Sequence, residues 1–135
     1  MVPPPSVVLV VDIANVMGSR PDGWWRDRAG AATRLMSELA PLAGAEVRSP
    51  DGVLLLVSRV LAVLEGHARG AQAPDGVEAV RATADGDSTV RALAGDLVAD
   101  GELVLVVTAD RGLRASLPAA ALVAGPRWLL EDPAE

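Results

Sequence analysis

Residues 7–15 read Val7-Val8-Leu9-Val10-Val11-Asp12-Ile13-Ala14-Asn15. Five apolar residues, four of them β-branched, are followed at once by a carboxylate. Such a short apolar run without alternation is typical of a central strand that is buried on both faces. Asp12 then lies at the carboxyl end of this strand, where open parallel sheets bind their ligands. A carboxylate at the edge of a core needs a cation or hydrogen-bond donors as its partner.

The composition limits both the fold and the chemistry. The chain has 135 residues, half of them hydrophobic, and we expect one domain over residues 1–135 with a core of Val, Leu and Ala. It contains no Cys, which excludes disulfides, thiolate zinc sites and cysteine nucleophiles. His67 is the single histidine, and this argues against a Ser-His-Asp triad and against a multi-histidine metal site.

The basic residues are twelve Arg, and there is no Lys. The absence of Lys excludes a Walker phosphate loop and Schiff-base chemistry. The formal net charge of −6 counts against broad electrostatic binding to nucleic acid. A group of carboxylates that await a cation accounts for part of this charge.

The sequence carries no feature of a membrane or secreted protein. Residues 1–5 lack the basic region of a signal peptide. No apolar run approaches the roughly 18 residues that a membrane span needs. We therefore expect a cytoplasmic protein that makes no contact with a membrane.

The first half of the chain alternates between strand and helix patterns. After a loop over residues 17–23, apolar residues at spacings of three and four predict a helix that ends near Pro41 and Gly44. Residues 45–52 are expected to form a polar connection. Residues 60–64 predict a second buried strand. The preceding run, residues 53–57, fits either a shorter strand or the end of a helical connection.

The second half continues the alternation. A loop over residues 66–76 leads to a third strand over residues 77–81, and Ala84-Asp85-Gly86-Asp87-Ser88 opens a helix. Residues 103–107 repeat the pattern of the first strand, and a short helix and a weak strand over residues 120–124 follow. This alternation predicts a three-layer α/β/α sandwich with a mainly parallel sheet.

Acidic residues follow the predicted strands at four positions: Asp12, Glu65, Asp85 with Asp87, and Asp110. Because parallel strands end at one edge of the sheet, we expect these carboxylates to converge there. Their mutual repulsion calls for a counter-charge, and all-oxygen ligands suit Mg²⁺ or Mn²⁺. A metal held there can activate a water for attack on a phosphoryl group. Asn15 would hydrogen-bond a carboxylate or this water.

Each acidic residue also has a structural interpretation. Asp87 and Asp110 precede helices and would serve as N-caps. Glu65 fits a solvated strand end, and Asp85 is expected to face solvent. Asp12 would be structural if only hydrogen-bond donors surround it.

Two tryptophans suggest a surface for nucleic acid. Trp24 and Trp25 are flanked by Arg20, Arg26 and Arg28, which suits base stacking and phosphate contacts. The alternative is that one Trp packs at the entry of the helix, and we expect this for at least one of them. Arg111 would contact a phosphate or stay at a solvated helix start. We expect Trp128 in the core and His67 in a loop.

Three short motifs resemble those of PIN-like nucleases: Asp12-Ile13-Ala14-Asn15, Gly86-Asp87 at a helix start, and Thr108-Ala109-Asp110-Arg111. The sequence is most similar to the NYN branch of that superfamily, including its small actinobacterial members. Residues 18–28 and Gly125-Pro126-Arg127-Trp128 add to this similarity, which covers most of the chain in order.

The resemblance implies a sheet of order 3-2-1-4-5 that places Asp12 beside Asp110. It also implies metal-dependent RNA hydrolysis with Asp12, Asp87 and Asp110 as ligands. We add Glu65 to these expected Mg²⁺ or Mn²⁺ ligands. We expect five residues to bind the substrate, including Thr108 of the third motif. They are Arg20, Trp24, Trp25, Thr108 and Arg111.

We therefore predict a metal-dependent ribonuclease acting on single-stranded RNA, with a homodimer among its expected assemblies. Two departures from the family pattern favour a different class, a catalytically silent module that binds RNA or a protein. Ile13 replaces a usual Gly, and Ser88 replaces a common second Asp. Hydrolysis of nucleoside phosphates is a third interpretation, which requires a closed pocket.

Overall fold

The computed structural model describes residues 2–134, and its central strand is the one that the apolar run predicts. Strand β1 (Ser6–Asp12) lies in parallel between β3 (Leu54–Leu64) and β5 (Val104–Val107). The odd-numbered residues of its apolar run face one core, and the even-numbered residues face another. Because both faces are covered, the strand needs apolar residues at every position instead of alternation.

The described sheet contains five parallel strands and one antiparallel strand. β4 (Val77–Arg81) pairs with β3, and β6 (Leu122–Ala124) pairs with β5, so the parallel strands run β4-β3-β1-β5-β6. These five follow the expected order 3-2-1-4-5. The whole sheet departs from that order because an antiparallel strand, β2 (Glu46–Arg48), pairs with the first residues of β3.

The region before and within β3 corrects two expectations. Residues 45–52 do not form only a polar connection, since β2 lies within them. The ambiguous run after residue 52 belongs to one strand of 11 residues, with a bulge at Ser58. Val7 pairs with Val57 and Val8 with Arg59, and the Ser58 hydroxyl donates to the Val7 carbonyl over 3.2 Å. The polar pair at the bulge hid the continuity of the strand.

Five helices are described, and two of them were not predicted. They are α1 (Ile13–Gly18), α2 (Arg28–Leu39), α3 (Gly86–Ala99), α4 (Arg111–Ser116) and α5 (Pro126–Leu130). Short 3₁₀ turns cover Trp24–Arg26, Ala40–Leu42 and Gly66–Gly70. α1 was missed because its few residues follow the strand without a break. α5 was missed because only five residues form it.

The helices lie on both faces of the sheet. Buried residues of α1, α2 and α5, Trp128 among them, pack on one core, and those of α3 and α4 pack on the other. The predicted three-layer α/β/α architecture is therefore confirmed, as is the core position of Trp128. No helix of the described residues is long and apolar enough to cross a membrane.

Replacement of Leu9 by Ala should destabilise the whole protein. The Leu9 side chain is fully buried in the central strand, so its loss should lower the free energy of unfolding by about 2–5 kcal/mol. Urea denaturation followed by circular dichroism measures this. Val53→Ala, at a position that is 53% exposed, is the control and should change the free energy by less than about 0.5 kcal/mol. Equal effects of the two substitutions would contradict the burial of Leu9 in the core on its face of the sheet.

Candidate active site

The ends of β1 and β5 are joined by one buried hydroxyl. Val11 pairs with Val107, which places Asp12 beside Thr108. The Thr108 hydroxyl donates to Asp12 Oδ2 over 3.0 Å and accepts from the backbone N–H of Asp110 over 3.2 Å. Its side chain is fully buried and Asp12 is only 4% exposed. Thr108 therefore links the aspartates of the first and third motifs.

Further hydrogen bonds fix the loop after β5. Asn15 Oδ1 accepts from the backbone N–H of Ala109 over 2.8 Å, and Arg114 Nε donates to the carbonyl of Thr108 over 2.8 Å. Asp110 Oδ1 accepts from the backbone N–H of Leu113 over 2.9 Å, so Asp110 is the N-cap of α4. Capping uses one carboxylate oxygen, and Oδ2 makes no hydrogen bond within residues 2–134.

The start of α3 and the end of β3 contribute further carboxylates at this edge of the sheet. The N-cap of α3 is Asp85, which accepts from the backbone N–H of Ser88 over 2.7 Å and is exposed, as expected. Asp87 lies in the first turn and is not the N-cap. Glu65, directly after β3, accepts a hydrogen bond from the backbone N–H of Gly86 through Oε2. We call Asp12, Glu65, Asp87 and Asp110 the carboxylate cluster.

Two members of the carboxylate cluster, Asp12 and Asp87, have raised pKa values. Burial raises the pKa of Asp12 from 3.8 to about 6; the hydrogen bond from Thr108 opposes this shift, and the charges of Asp87 and Glu65 add to it. Burial also raises the pKa of Asp87, with added repulsion from Asp110 and Glu65. Burial and neighbouring negative charge thus disfavour the ionised forms of Asp12 and Asp87.

No member of the carboxylate cluster forms an ion pair in the described part of the chain, and the charge of Arg91 only partly offsets the raised pKa of Asp87. The ion pairs found there join Arg20 to Glu38 and Arg59 to Glu78. A divalent cation would supply the missing charge, and the oxygen donors suit Mg²⁺ or Mn²⁺. Within residues 2–134, however, no three acidic or histidine side chains already stand close enough together to hold an ion. The donors fit such a metal by their chemistry and would have to draw together around it.

The tryptophan pair lies beside this edge. The Trp24 and Trp25 rings meet edge to face, with centroids 5.9 Å apart, and Arg28 and Arg26 lie over them at 5.4 and 5.8 Å respectively. Trp24 packs partly against the core, whereas Trp25 is 56% exposed. One Trp thus serves the entry to α2, as expected. Trp24 and Arg28 also line a cavity of about 470 Å³ that Glu65 borders.

The two remaining arginines named from the sequence occupy different places. Arg20 forms an ion pair with Glu38 and lines a separate cavity of about 420 Å³, whose wall includes no member of the carboxylate cluster. Arg111 is exposed at the start of α4, next in sequence to Asp110. Of these two, only Arg111 adjoins the cluster.

Sequence reasoning missed two parts of the site. It named Thr108 as a substrate contact, whereas the structure shows a buried hydroxyl between Asp12 and Asp110. A Thr between a buried strand and a helix-capping Asp was the available signal. The contact between Glu65 and Gly86 had no such signal, because 21 residues separate the two. A Cβ at Gly86 would lie 3.0 Å from the Glu65 carboxylate, so the glycine makes room for it.

Comparison with known proteins bears on the fold. No family model and no curated protein matches the sequence. Among solved structures, the chain is similar to the crystal structure of a mutant of Rae1 (YacP) from Bacillus subtilis. The TM-score is 0.66 at 21% identity, over 93% of this chain and 73% of that one. The chain has the fold of Rae1. It is a mainly parallel α/β fold, as the alternation of strands and helices predicted. Membership of the PIN-like superfamily and of its NYN branch stays a prediction.

Replacement of Asp12 by Asn should stabilise the metal-free protein at neutral pH. The pKa of Asp12 is raised in the folded state, so its protonated form stabilises the fold below about pH 4, and this contribution is lost as the pH rises through about 6. The gap between 3.8 and about 6 corresponds to about 3 kcal/mol as an upper value. Urea denaturation in the presence of a chelator measures this at pH 4 and pH 7.5. Asp12→Asn should have a higher free energy of unfolding than the wild type only at pH 7.5. Asp51→Asn, in an exposed turn, is the control, and the same response in both variants would contradict the burial of Asp12.

Removal of the Thr108 hydroxyl should disturb both aspartates. In Thr108→Val, Asp12 loses a donor and the Asp110 N–H loses its acceptor. The free energy of unfolding should fall by about 1–3 kcal/mol, and the pKa of Asp12 should rise further. Carboxyl titration by NMR and urea denaturation measure the two effects. Thr108→Ser keeps the hydroxyl, so the pKa of Asp12 in this variant should return to the wild-type value. If the Val and Ser variants give the same pKa for Asp12, Thr108 does not position Asp12.

Proposed function

We propose that this protein is a Mg²⁺- or Mn²⁺-dependent ribonuclease. The observation that carries the proposal is the carboxylate cluster at the carboxyl edge of the parallel sheet, with buried Asp12 tied through Thr108 to the Asp110 loop. The fold that the chain shares with Rae1 and the motifs that resemble those of PIN-like nucleases support this function. Residues that would hold the metal are Asp12, Asp87 and Asp110. Glu65, the fourth expected ligand, already has Oε2 bonded to Gly86.

The chain's own residues perform defined tasks in this proposal. Thr108 keeps Asp12 oriented, and Asn15 holds the loop that carries Asp110. When bound, the metal would activate a water and stabilise the oxygens of the scissile phosphate. Arg111 beside Asp110, and Arg28 beside Trp24, supply positive charge for the RNA backbone. Trp24 and Trp25 offer stacking surfaces that only unpaired bases can reach, which favours single-stranded RNA.

A catalytically silent module that binds RNA or a protein is the second candidate. The absence of a ready-made metal site within residues 2–134 favours it, together with Ser88 after Asp87. Such a module would use the tryptophan and arginine surface without cleavage. The predicted homodimer and cytoplasmic location are common to both candidates and stay predictions.

Loss of a cluster carboxylate should abolish RNA cleavage. Asp12→Asn and Asp110→Asn should each reduce the cleavage rate of a labelled single-stranded RNA by about 100-fold or more, since even the partners of metal ligands contribute 10–100-fold. EDTA should stop cleavage by the wild type. Asp51→Asn is the matched control, because its turn precedes β3 at the opposite edge of the sheet.

Metal binding gives an independent readout. Mn²⁺ at 100 times its dissociation constant should stabilise the wild type by about 2.7 kcal/mol and raise its melting temperature, with little effect on Asp110→Asn. Cleavage that persists in EDTA, or in both Asn variants, would refute the metal-dependent mechanism. RNA binding without cleavage and without a Mn²⁺ shift would identify the silent module. Phosphate release from free nucleotides would instead support nucleoside-phosphate hydrolysis.

A further inference from the structure

A cavity of about 470 Å³ opens beside the carboxylate cluster. It lies between the end of β3, the start of α3 and the 3₁₀ turn that carries Trp24. Its walls are mostly apolar, and three charged side chains line it: Arg28, Glu65 and Asp85. The other lining residues that matter below are Met17, Trp24, Ala68 and Ala84. The volume falls in the range of small-molecule sites.

The walls of this cavity suit a flat aromatic ligand. Trp24 supplies an aromatic ring, and Met17 and Ala68 are buried apolar residues beside it. Nucleic-acid bases stack favourably on aromatic side chains, whatever their sequence. Arg28 adds a positive charge that can contact the phosphate attached to a bound base. A paired base cannot present its face to this cavity, so the ligand has to be an unstacked nucleotide.

The polar lining distinguishes among the bases. Glu65 Oε2 accepts from Gly86, and Oε1 has no hydrogen bond within residues 2–134, which leaves an acceptor for a ligand. Asp85 also lines the cavity, but its Oδ1 and Oδ2 already accept from the N–H and the hydroxyl of Ser88, so Glu65 Oε1 is the acceptor that this argument uses. Guanine presents two adjacent donors, N1–H and the 2-amino group, which pair well with a carboxylate. Uracil presents one N–H between two carbonyl oxygens, which carboxylates repel.

We propose that this cavity binds a guanine base, and that within RNA it selects the nucleotide next to the cleaved bond. The chemistry that it recognises is the guanine edge, whether of a free nucleotide or of an RNA chain. The selection of a nucleotide next to the cleaved bond rests on the proposed ribonuclease function. Its basis is that Glu65, a member of the carboxylate cluster, also lines the cavity. Binding of the base does not depend on that function. Glu65 is thereby assigned to the base rather than to the metal.

Equilibrium dialysis with nucleoside monophosphates in EDTA tests base binding without any cleavage. GMP should bind at least about tenfold more tightly than UMP, and IMP, which lacks the 2-amino group, should lie between them. Ala84→Leu adds bulk to the cavity at an exposed lining residue and should weaken GMP binding about tenfold. Ala99→Leu, at an exposed position late in α3, is the matched control and should bind GMP as the wild type does.

A second arm uses RNA. A uridine oligonucleotide with one guanosine should be cut at a fixed distance from that guanosine, and Ala84→Leu should lose this preference. GMP binding with no cleavage of any RNA supports the cavity and refutes the proposed ribonuclease. Equal binding of GMP and UMP, or no binding of either, overturns the guanine site even if RNA is cleaved. Should Ala84→Leu fail to fold, the ratio of GMP to UMP binding in the wild type decides.

Discussion

The parallel pairing of β1 with β5 is the constraint on which the site depends. It sets Asp12 and Thr108 side by side, although 96 residues separate them, and the buried hydroxyl then fixes both motif aspartates. The same pairing keeps Asp12 4% exposed, which raises the pKa of its carboxyl group. Burial makes the ionised form of Asp12 less favourable, and a positive charge bound beside it would offset this cost.

Much of the fold could be predicted because the strand signals are strong. The valine-rich runs before Asp12 and Thr108 are buried on both faces, so their composition alone identifies them as central strands. The α/β sandwich followed from the alternation of strands and helices, and the order of the five parallel strands agrees with what the resemblance to PIN-like nucleases implied. β2 and α1 could not be predicted, because each is too short for periodicity to appear. Their existence depends on tertiary partners: β3 pairs with β2, and one face of the sheet buries Ile13 of α1.

The sequence predicted the edge of the sheet at which these acidic residues lie, because Asp12, Glu65 and Asp110 each come just after a parallel strand. Within residues 2–134 no three such side chains stand close enough to hold an ion, so their convergence on a metal stays a prediction. Their hydrogen-bond partners could not be predicted. The bond from Gly86 to Glu65 and the shielded hydroxyl of Thr108 depend on atomic packing across distant segments. For the same reason the sequence placed Arg20 with the tryptophans, whereas its ion pair with Glu38 turns it toward another cavity.

β2 and β4 share one flank of β3, and this arrangement has a consequence for self-association. The strands at the rims of the described sheet, β2, β4 and β6, have three to five residues each. On β4, Glu78 is engaged by Arg59, and Arg81 donates to the carbonyls of Arg69 and Ala71. β2 and β4 carry charged residues, whereas β6 is uncharged and is protected by its length of three residues alone. Short rims offer few backbone groups for strand addition by a second molecule, so helices and loops are the better surfaces for an association of two copies.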